Sequence, residues 1–131
     1  MEKNNECLCC GVKFKDGVDL CQECMTIEWS MHKLAGYVHA NADDKGFWDE
    51  ERNVGELIAL IHSELSEMLE AYRHGNKRSE HINASAVEDE MADVLIRLFD
   101  MAVGMVQNLP RATMLKMAFN RTRPRKHGKE F

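Results

Sequence analysis

The sequence predicts an all-α protein that carries a small cysteine-rich appendage at its N-terminus. Apolar residues recur at helical spacing in three segments and Pro110 suits the first turn of a fourth helix, whereas two prolines and eight glycines are too few for a fold of many short strands. All five cysteines fall within the first 25 of the 131 residues. We therefore expect residues 1–25 to form the appendage and residues 26–131 to form one helical domain.

The first two helices are predicted from apolar stripes and from capping residues. Residues 26–41 carry a stripe at i, i+4, i+7 and i+11, formed by Ile27, Met31, Leu34 and Val38. Asn53 is a candidate N-cap for the second helix because Glu56 follows three residues later, as in a capping box. That helix should end near His74, where Gly75 is a typical C-terminal signal.

Two further helices follow in the second half of the chain. The third is predicted from about Ala84 to Asn108, and the fourth from Pro110, which suits a first helical turn, to Thr122. Pro124 should end the regular structure. Four helices with short connections predict an antiparallel four-helix bundle.

The net charge of −5 is unevenly distributed along the chain. The body of the protein is acidic and suits cations, which makes a nucleic-acid footprint over the domain unlikely. The segment from residue 111 onward is basic and suits phosphates or an acidic partner, although a solvated tail has the same composition. No apolar run approaches the roughly 20 residues of a membrane span, and the N-terminus lacks a hydrophobic signal region. A cytoplasmic, reducing location is the expectation.

The cysteines have the spacing of two zinc knuckles. Cys7-x2-Cys10-Gly and Cys21-x2-Cys24 would each bring two thiolates to one tetrahedral ion, which makes a closed four-thiolate zinc site. An iron site of rubredoxin type is the alternative metal centre. Cys9 is left over and could compete as a ligand. An appendage with so few apolar residues is expected to need its metal to fold.

Two carboxylate pairs lie beside the apolar stripes of the second and third helices. Glu64 and Glu67 are spaced ExxE, and Glu90 and Asp93 are spaced ExxD. Four carboxylates that face one another repel, and a hard divalent cation such as Mg²⁺ removes that penalty. The alternative is that they are ordinary surface acids. A di-iron bundle would instead require Glu-x-x-His pairs, which are lacking here.

The last helix carries a basic face. Lys116, Asn120 and Arg123 fall at i, i+4 and i+7, where a point charge, an amide and a planar guanidinium could bind phosphate oxygens. A solubilising terminal helix is the alternative. We assign no catalytic role to His62, since a lone histidine beside an apolar stripe is usually structural, or to His127.

These motifs together resemble those of the MazG-like all-α nucleoside triphosphate pyrophosphohydrolases. The resemblance covers residues 27–131 and consists of the segments KGFWDEERNVGELIALIHSELSEMLEAYRHG, EDEMADVLIRLFDMA and KMAFNRTRPRKHGKEF. It implies Mg²⁺-dependent hydrolysis, with Mn²⁺ as an alternative ion, of ribo- or deoxyribonucleoside triphosphates. Water would attack the α phosphate and release a nucleoside monophosphate and pyrophosphate.

The resemblance also implies roles for individual residues. The four carboxylates would bind the metal ions, and Glu67, with Glu64 beside it, would orient or deprotonate the attacking water. Lys116, Asn120 and Arg123 would bind the triphosphate. Lys45 and Trp48 would help to form the nucleotide pocket, with Trp48 either stacked on the base or plugging a gap between helices. Members of this family pair or form dimers of dimers, which implies a homo-oligomer here.

Two other functions fit parts of the pattern. A non-catalytic zinc-ribbon adaptor would use the helical bundle only to dimerise, but it would have no need of acids beside an apolar stripe. Phosphoribosyl-ATP pyrophosphohydrolase is an alternative activity on a related fold. The cysteine appendage is not part of the MazG-like core, and the resemblance leaves its role open.

Overall fold

The computed structural model describes residues 5–14 and 20–130, and within them the chain is helical apart from one minimal hairpin. Strands β1 and β2 pair antiparallel, with Asn5 opposite Phe14 and Glu6 opposite Lys13. The predicted all-α class with four helices is confirmed. The element bounds are β1 Asn5–Glu6, β2 Lys13–Phe14, α1 Gln22–Asp44, α2 Val54–Arg73, α3 Ala86–Gly104, α4 Leu109–Arg121 and a short 3-10 segment Arg125–Gly128.

The ends of the helices follow local capping chemistry. The Asn53 side chain accepts a hydrogen bond from the Glu56 N–H at 3.1 Å, as predicted for the start of α2. Gly75 has a φ of +85°, which confirms the predicted stop after α2. Helix α3 begins after Ser85, whose side chain forms a capping box with Glu88.

Two predicted helix ends were wrong. Helix α3 ends at Gly104 and not at Asn108, and Val106 has a positive φ of 56°, which no α-helix can contain. Helix α1 begins at Gln22, four residues before the predicted start, so that Cys24 lies in its first turn. The apolar stripe did not reveal this earlier start because the buried residue in the first turn of α1 is Cys24, which the sequence analysis assigned to the cysteine appendage and not to the stripe.

Helices α2 and α3 pack against each other as an antiparallel pair. Leu57, near the start of α2, lines the same cavity as Asp100, near the end of α3. Glu64, in the middle of α2, contacts Arg97 near the middle of α3. This pairing places the ExxE turn of α2 against the ExxD turn of α3.

Packing divides the chain into two compact units that differ from the division predicted by composition. The first unit comprises Met1–Leu34 and Asn108–Phe131, and the second comprises Ala35–Gln107. The boundary predicted at residue 25 marks the change in composition. The cysteine segment therefore belongs to the same compact unit as α4.

None of the helices within residues 5–14 and 20–130 combines the length and the apolar character that crossing a membrane requires.

Gly104 allows the Trp48 ring to pack directly against the backbone of α3. A Cβ built at Gly104 would overlap the six-membered ring of Trp48. Gly104→Ala should therefore lower the free energy of unfolding by about 1–3 kcal/mol, the usual cost of overpacking. Gly36→Ala is the matched control, because nothing lies within 4 Å of its Cβ position in α1. It should stabilise the protein by about 0.5–1 kcal/mol. Urea unfolding measures both, and equal effects of the two alanines would contradict this packing.

Candidate metal centres

Four cysteines of the first unit converge on one point. The sulfur atoms of Cys7, Cys10, Cys21 and Cys24 all lie within 4.8 Å of one another. The Sγ atoms of Cys10 and Cys21 are 3.6 Å apart. Thiolates at about 2.3 Å from a tetrahedral zinc ion lie about 3.8 Å apart, so this spacing is that of a four-thiolate site. These four cysteines could hold one metal ion such as zinc.

Local structure explains why both knuckles point to the same place. Gly11 follows the first pair with a φ of +78°, and its N–H donates to the carbonyl of Cys7, which closes a tight turn. The second pair lies at the start of α1, with Cys21 immediately before the helix and Cys24 in its first turn. Helix N-termini favour thiolates because backbone N–H groups and the helix dipole face them.

The electrostatics of this cluster favour a bound cation. Burial raises the pKa of the Cys7 thiol, but hydrogen bonds from the backbone of Cys10 and Cys21 together outweigh it and bring that pKa to about 6. The pKa of Cys24 is raised, first by burial and then by the neighbouring cysteines. The four thiols thus cannot all ionise without a positive charge between them, which is what a metal ion supplies.

Cys9 is buried beside this cluster without joining it. It is 7% exposed and packs in the same core, yet it lies outside the set of four converging sulfurs. None of the five cysteines forms a disulfide. The positions of the sulfur atoms therefore favour Cys7 and Cys10, and not Cys9, as the first pair of candidate metal ligands.

Three of the four predicted carboxylates form a second cluster, in the second unit. One oxygen each of Glu64, Glu90 and Asp93 lies within 4.8 Å of the others. Adjacent oxygens around an octahedral Mg²⁺ ion are about 2.9 Å apart and opposite ones about 4.2 Å, so the three carboxylates would have to move closer together to bind one ion. Glu67 lies one turn after Glu64 on α2 and is exposed.

Like charges and burial perturb these acids. The pKa of Glu90 is raised, first by burial and then by the charges of Glu67, Asp93 and Glu64. The pKa of Asp93 is also raised, by burial and by Glu64, while Arg97 opposes the rise. Carboxyls held in an unfavourable charge state without a cation fit the chemistry of a site for a hard divalent ion.

Arg97 contacts the most buried member of the acid cluster. Glu64 is only 5% exposed, and its Oε1 accepts a hydrogen bond from Arg97 Nε at 2.5 Å. A buried carboxylate requires such a countercharge. Arg97 lies four residues after Asp93 on α3, so both side chains project from the same face of that helix.

A cavity of about 210 Å³ adjoins the acid cluster within the second unit. Its polar lining includes Arg52, Asp93, Arg97 and Asp100, and Phe47 contributes an aromatic wall. Pockets that enclose a whole ligand usually exceed about 300 Å³. The cavity therefore has room for part of a nucleotide, next to carboxylates that could hold a metal ion.

Trp48 is fixed in place by its neighbours in the second unit. Its indole N–H donates to Asp100 Oδ1 at 2.8 Å, and its ring lies 5.0 Å from that of His39. The ring also packs on Gly104. This packing favours the plug over the base-stacking alternative for Trp48. Lys45 is exposed, with its Nζ 3.6 Å from the carboxylate of Asp44.

The predicted phosphate-binding residues lie on or just after α4, in the first unit. Lys116 Nζ and the Arg123 guanidinium lie 4.8 Å and 5.7 Å from the centre of the Phe119 ring. Asn120 Oδ1 is buried and has no hydrogen-bond partner among the described residues. Lys116 and Arg123 therefore both lie close to one aromatic ring, which agrees with their predicted position on a shared face of the helix. Of the two histidines set aside, His62 is exposed, and so is His127, whose carbonyl accepts from Arg123 at 3.5 Å.

Comparison with family models, with curated proteins and with solved structures gave no match to this chain. The resemblance to the MazG-like enzymes therefore rests on the sequence motifs alone.

Four residues that line the cavity or contact its lining were not predicted from the sequence: Arg52, Arg97, Asp100 and His39. A signal for two of them was present, because Asp93, Arg97 and Asp100 fall at i, i+4 and i+7 on one face of α3. His39 carried no such signal. Its Nδ1 donates to Asp100 at 2.7 Å across 61 positions of the chain, and only tertiary packing determines that contact.

Removing Arg97 should strengthen metal binding at the acid cluster. Arg97→Gln deletes the cation that competes with the metal ion for Glu64. We expect the Kd for Mn²⁺ to fall by about tenfold and no more, because the Arg97 side chain is partly exposed and solvent screens its charge. Isothermal titration calorimetry on metal-free protein measures it. Arg73→Gln, at the end of the same helix hairpin, removes the same charge and is the control. Weaker Mn²⁺ binding in Arg97→Gln, or an equal gain in the control, would contradict a competing role for Arg97.

Proposed function

We propose that this protein is a Mg²⁺-dependent nucleoside triphosphate pyrophosphohydrolase of MazG-like type, with a structural zinc site at its four cysteines. The observation that carries the proposal is the convergence of Glu64, Glu90 and Asp93 from two helices within 4.8 Å, beside a cavity. An adaptor protein has no use for such an arrangement, since carboxylates held close together repel one another unless a cation is bound.

In the proposed reaction, Glu64, Glu90 and Asp93 hold Mg²⁺ or Mn²⁺ through their carboxylate oxygens. Bound metal neutralises phosphate charge and lowers the pKa of water. Glu67 is exposed one turn from Glu64 and its charge raises the pKa of Glu90, and we propose that it orients or deprotonates the attacking water. Glu64 supports this step as the buried anchor of the site.

Lys116, Asn120 and Arg123 are proposed to bind the triphosphate and to stabilise the charge that develops during cleavage. Their chemistry suits this role, because two cations lie near the Phe119 ring and Asn120 has a buried amide oxygen without a hydrogen-bond partner among the described residues. Lys45 and Trp48 are proposed to border the nucleotide pocket. The many half-exposed apolar side chains of α2 and α3, such as Leu69, Tyr72 and Met91, support the expected homodimer or dimer of dimers.

The test is a substrate panel in Mg²⁺ that contains each NTP and dNTP together with phosphoribosyl-ATP. We expect release of pyrophosphate and a monophosphate from at least one nucleotide. In H₂¹⁸O the label should enter the monophosphate, because water attacks the α phosphate; label in pyrophosphate would mean attack at the β phosphate. Turnover of phosphoribosyl-ATP alone would instead identify the related activity.

Glu67→Gln should abolish this turnover. Glu70→Gln is its matched control, since Glu70 lies one turn further along α2 and pairs with His74 at 3.4 Å. The control should keep wild-type activity. If wild-type protein cleaves no compound of the panel in Mg²⁺ or Mn²⁺, the enzyme proposal fails.

A further inference from the structure

The buried core of the first unit is built mainly from cysteines. In its described part, the cluster of buried apolar residues contains four cysteines, three of them from the converging quartet, and only two hydrocarbon-rich side chains, Leu20 and Met114, with Met31 packed against it at the edge. A core of this size stabilises a fold weakly, and small domains of this kind commonly require a metal or disulfides.

Helix α4 joins this core through a single side chain. Met114 is 1% exposed and, with Cys7, is one of the two largest fully buried side chains of the described chain. Other large apolar residues of α4 remain about half exposed, among them Leu115, Met117 and Phe119. A helix of 13 residues is marginal by itself in water, so α4 depends on what Met114 packs against.

Two ion pairs also connect α4 to other described residues of this unit. Arg111 pairs with Glu28 at 3.3 Å, and Arg121 pairs with Glu6 at 2.9 Å. Partly exposed ion pairs of this kind each contribute about 0–1 kcal/mol. They orient the two ends of the helix, whereas the cysteine cluster beneath Met114 supplies the buried surface.

We propose that a zinc ion bound by Cys7, Cys10, Cys21 and Cys24 holds helix α4 in place, and that the zinc site thereby controls phosphate binding by Lys116, Asn120 and Arg123. The control of phosphate binding rests on the proposed function. The dependence of α4 on zinc does not.

The link between the zinc site and the basic residues is the helical backbone of α4. Lys116 follows Met114 by two residues, and Arg123 lies seven residues after Lys116. The two cations share a face, on either side of the Phe119 ring, only while the intervening chain is helical. Loss of the thiolate-bound ion would leave repelling or protonated sulfurs beneath Met114, and α4 would lose its only buried anchor apart from Pro110.

Hydrogen exchange on the full-length protein tests the first part. Zinc-loaded protein should contain one zinc per chain that chelators remove slowly. After removal, the amides of α4 should exchange at least tenfold faster, whereas those of α2 and α3 should be unchanged, and added zinc should restore α4. Equal protection of α4 with and without zinc would overturn the inference.

Two serine variants provide a matched comparison. Cys24→Ser should lose stoichiometric zinc and the protection of α4. Cys9→Ser alters a thiol buried in the same core but outside the quartet, so it should keep both. Equal loss of zinc in the two variants would overturn the ligand assignment. If Cys24→Ser does not fold, the zinc-free wild-type protein still provides the test.

Pyrophosphate binding, measured by calorimetry at constant Mg²⁺, tests the second part. Its Kd should rise at least tenfold in the zinc-free protein and recover with zinc. If α4 depends on zinc but pyrophosphate binding is unchanged, the role of zinc in α4 stands and the phosphate-binding role of the three basic-helix residues fails. Mn²⁺ binding to the acid cluster should be independent of zinc.

Discussion

Replacing Glu90 with glutamine is expected to lower Mg²⁺-dependent turnover at least about a hundredfold and, in metal-free protein, to raise the melting temperature. The loss of turnover follows because metal ligation supplies several kcal/mol of charge stabilisation. The gain in stability follows because burial and the neighbouring acids make the Glu90 carboxylate unfavourable without a cation. Opposite effects on activity and stability are typical of a functional residue and not of a structural one.

The stability gain should depend on pH in a defined direction. The pKa of Glu90 in the folded protein is raised above its ordinary value of 4.5. The carboxylate therefore destabilises the folded state at every pH above that raised pKa, and protonation removes the penalty as the pH falls. The advantage of Glu90→Gln should be largest at neutral pH and should disappear below about pH 4, near the unfolded pKa.

Thermal unfolding in chelator at several pH values, together with turnover at saturating Mg²⁺, measures these two effects. Glu88→Gln is the matched control on the same helix. Its carboxylate accepts from the Ser85 N–H at 2.8 Å, and glutamine can serve in the same capping box. The control should keep turnover and should not gain stability. A lower melting temperature for metal-free Glu90→Gln would contradict the repulsive acid cluster.

Replacing Asp100 with alanine should lower the free energy of unfolding by about 2–4 kcal/mol, because two partly buried donors would lose their acceptor. Asp100 Oδ1 accepts from His39 Nδ1 at 2.7 Å and from Trp48 Nε1 at 2.8 Å, and the Asp100 side chain is only 14% exposed. Urea denaturation with tryptophan fluorescence is a suitable measurement, since Trp48 should report the change directly.

Asp100→Asn separates the hydrogen bonds from the volume of the side chain. Asparagine retains one oxygen acceptor in the same place and should cost about 1 kcal/mol, clearly less than alanine. Trp48→Phe keeps an aromatic ring but removes the indole N–H donor. In the Trp48→Phe background, Asp100→Ala should therefore lower the free energy of unfolding by less than it does in the wild-type protein. An alanine variant within about 0.5 kcal/mol of wild type would show that this network does not stabilise the second unit.

Local patterns were sufficient to predict the helices and the cysteine quartet. Apolar spacing and capping residues depend on neighbours within a few positions, which is why Asn53 and Gly75 marked the ends of α2 correctly. The same holds for the cysteine turns, because a CxxC segment with Gly11 after it forms its own tight geometry. Val106 is the exception, since its positive φ has no sequence signal.

The pairing of side chains across helices was decided by tertiary packing. Spacing placed Glu64, Glu67, Glu90 and Asp93 beside apolar stripes, but only the antiparallel fit of α2 on α3 brings three of them within 4.8 Å and leaves Glu67 exposed. Arg97 reaches Glu64 across 33 positions, and Trp48 reaches Asp100 across 52. Periodicity specifies which face of a helix a residue occupies, whereas the opposing residue depends on the register between helices.

The four cysteines show the same distinction within one site. Their spacing predicted a metal centre on the sequence alone, and the structure places their sulfur atoms close enough to hold one ion. The sequence contained no indication that Met114, ninety residues after Cys24, would be buried against them. A side chain such as Met114 is buried by a distant segment only in the folded unit, because the apolar surface that Met114 covers is assembled by folding.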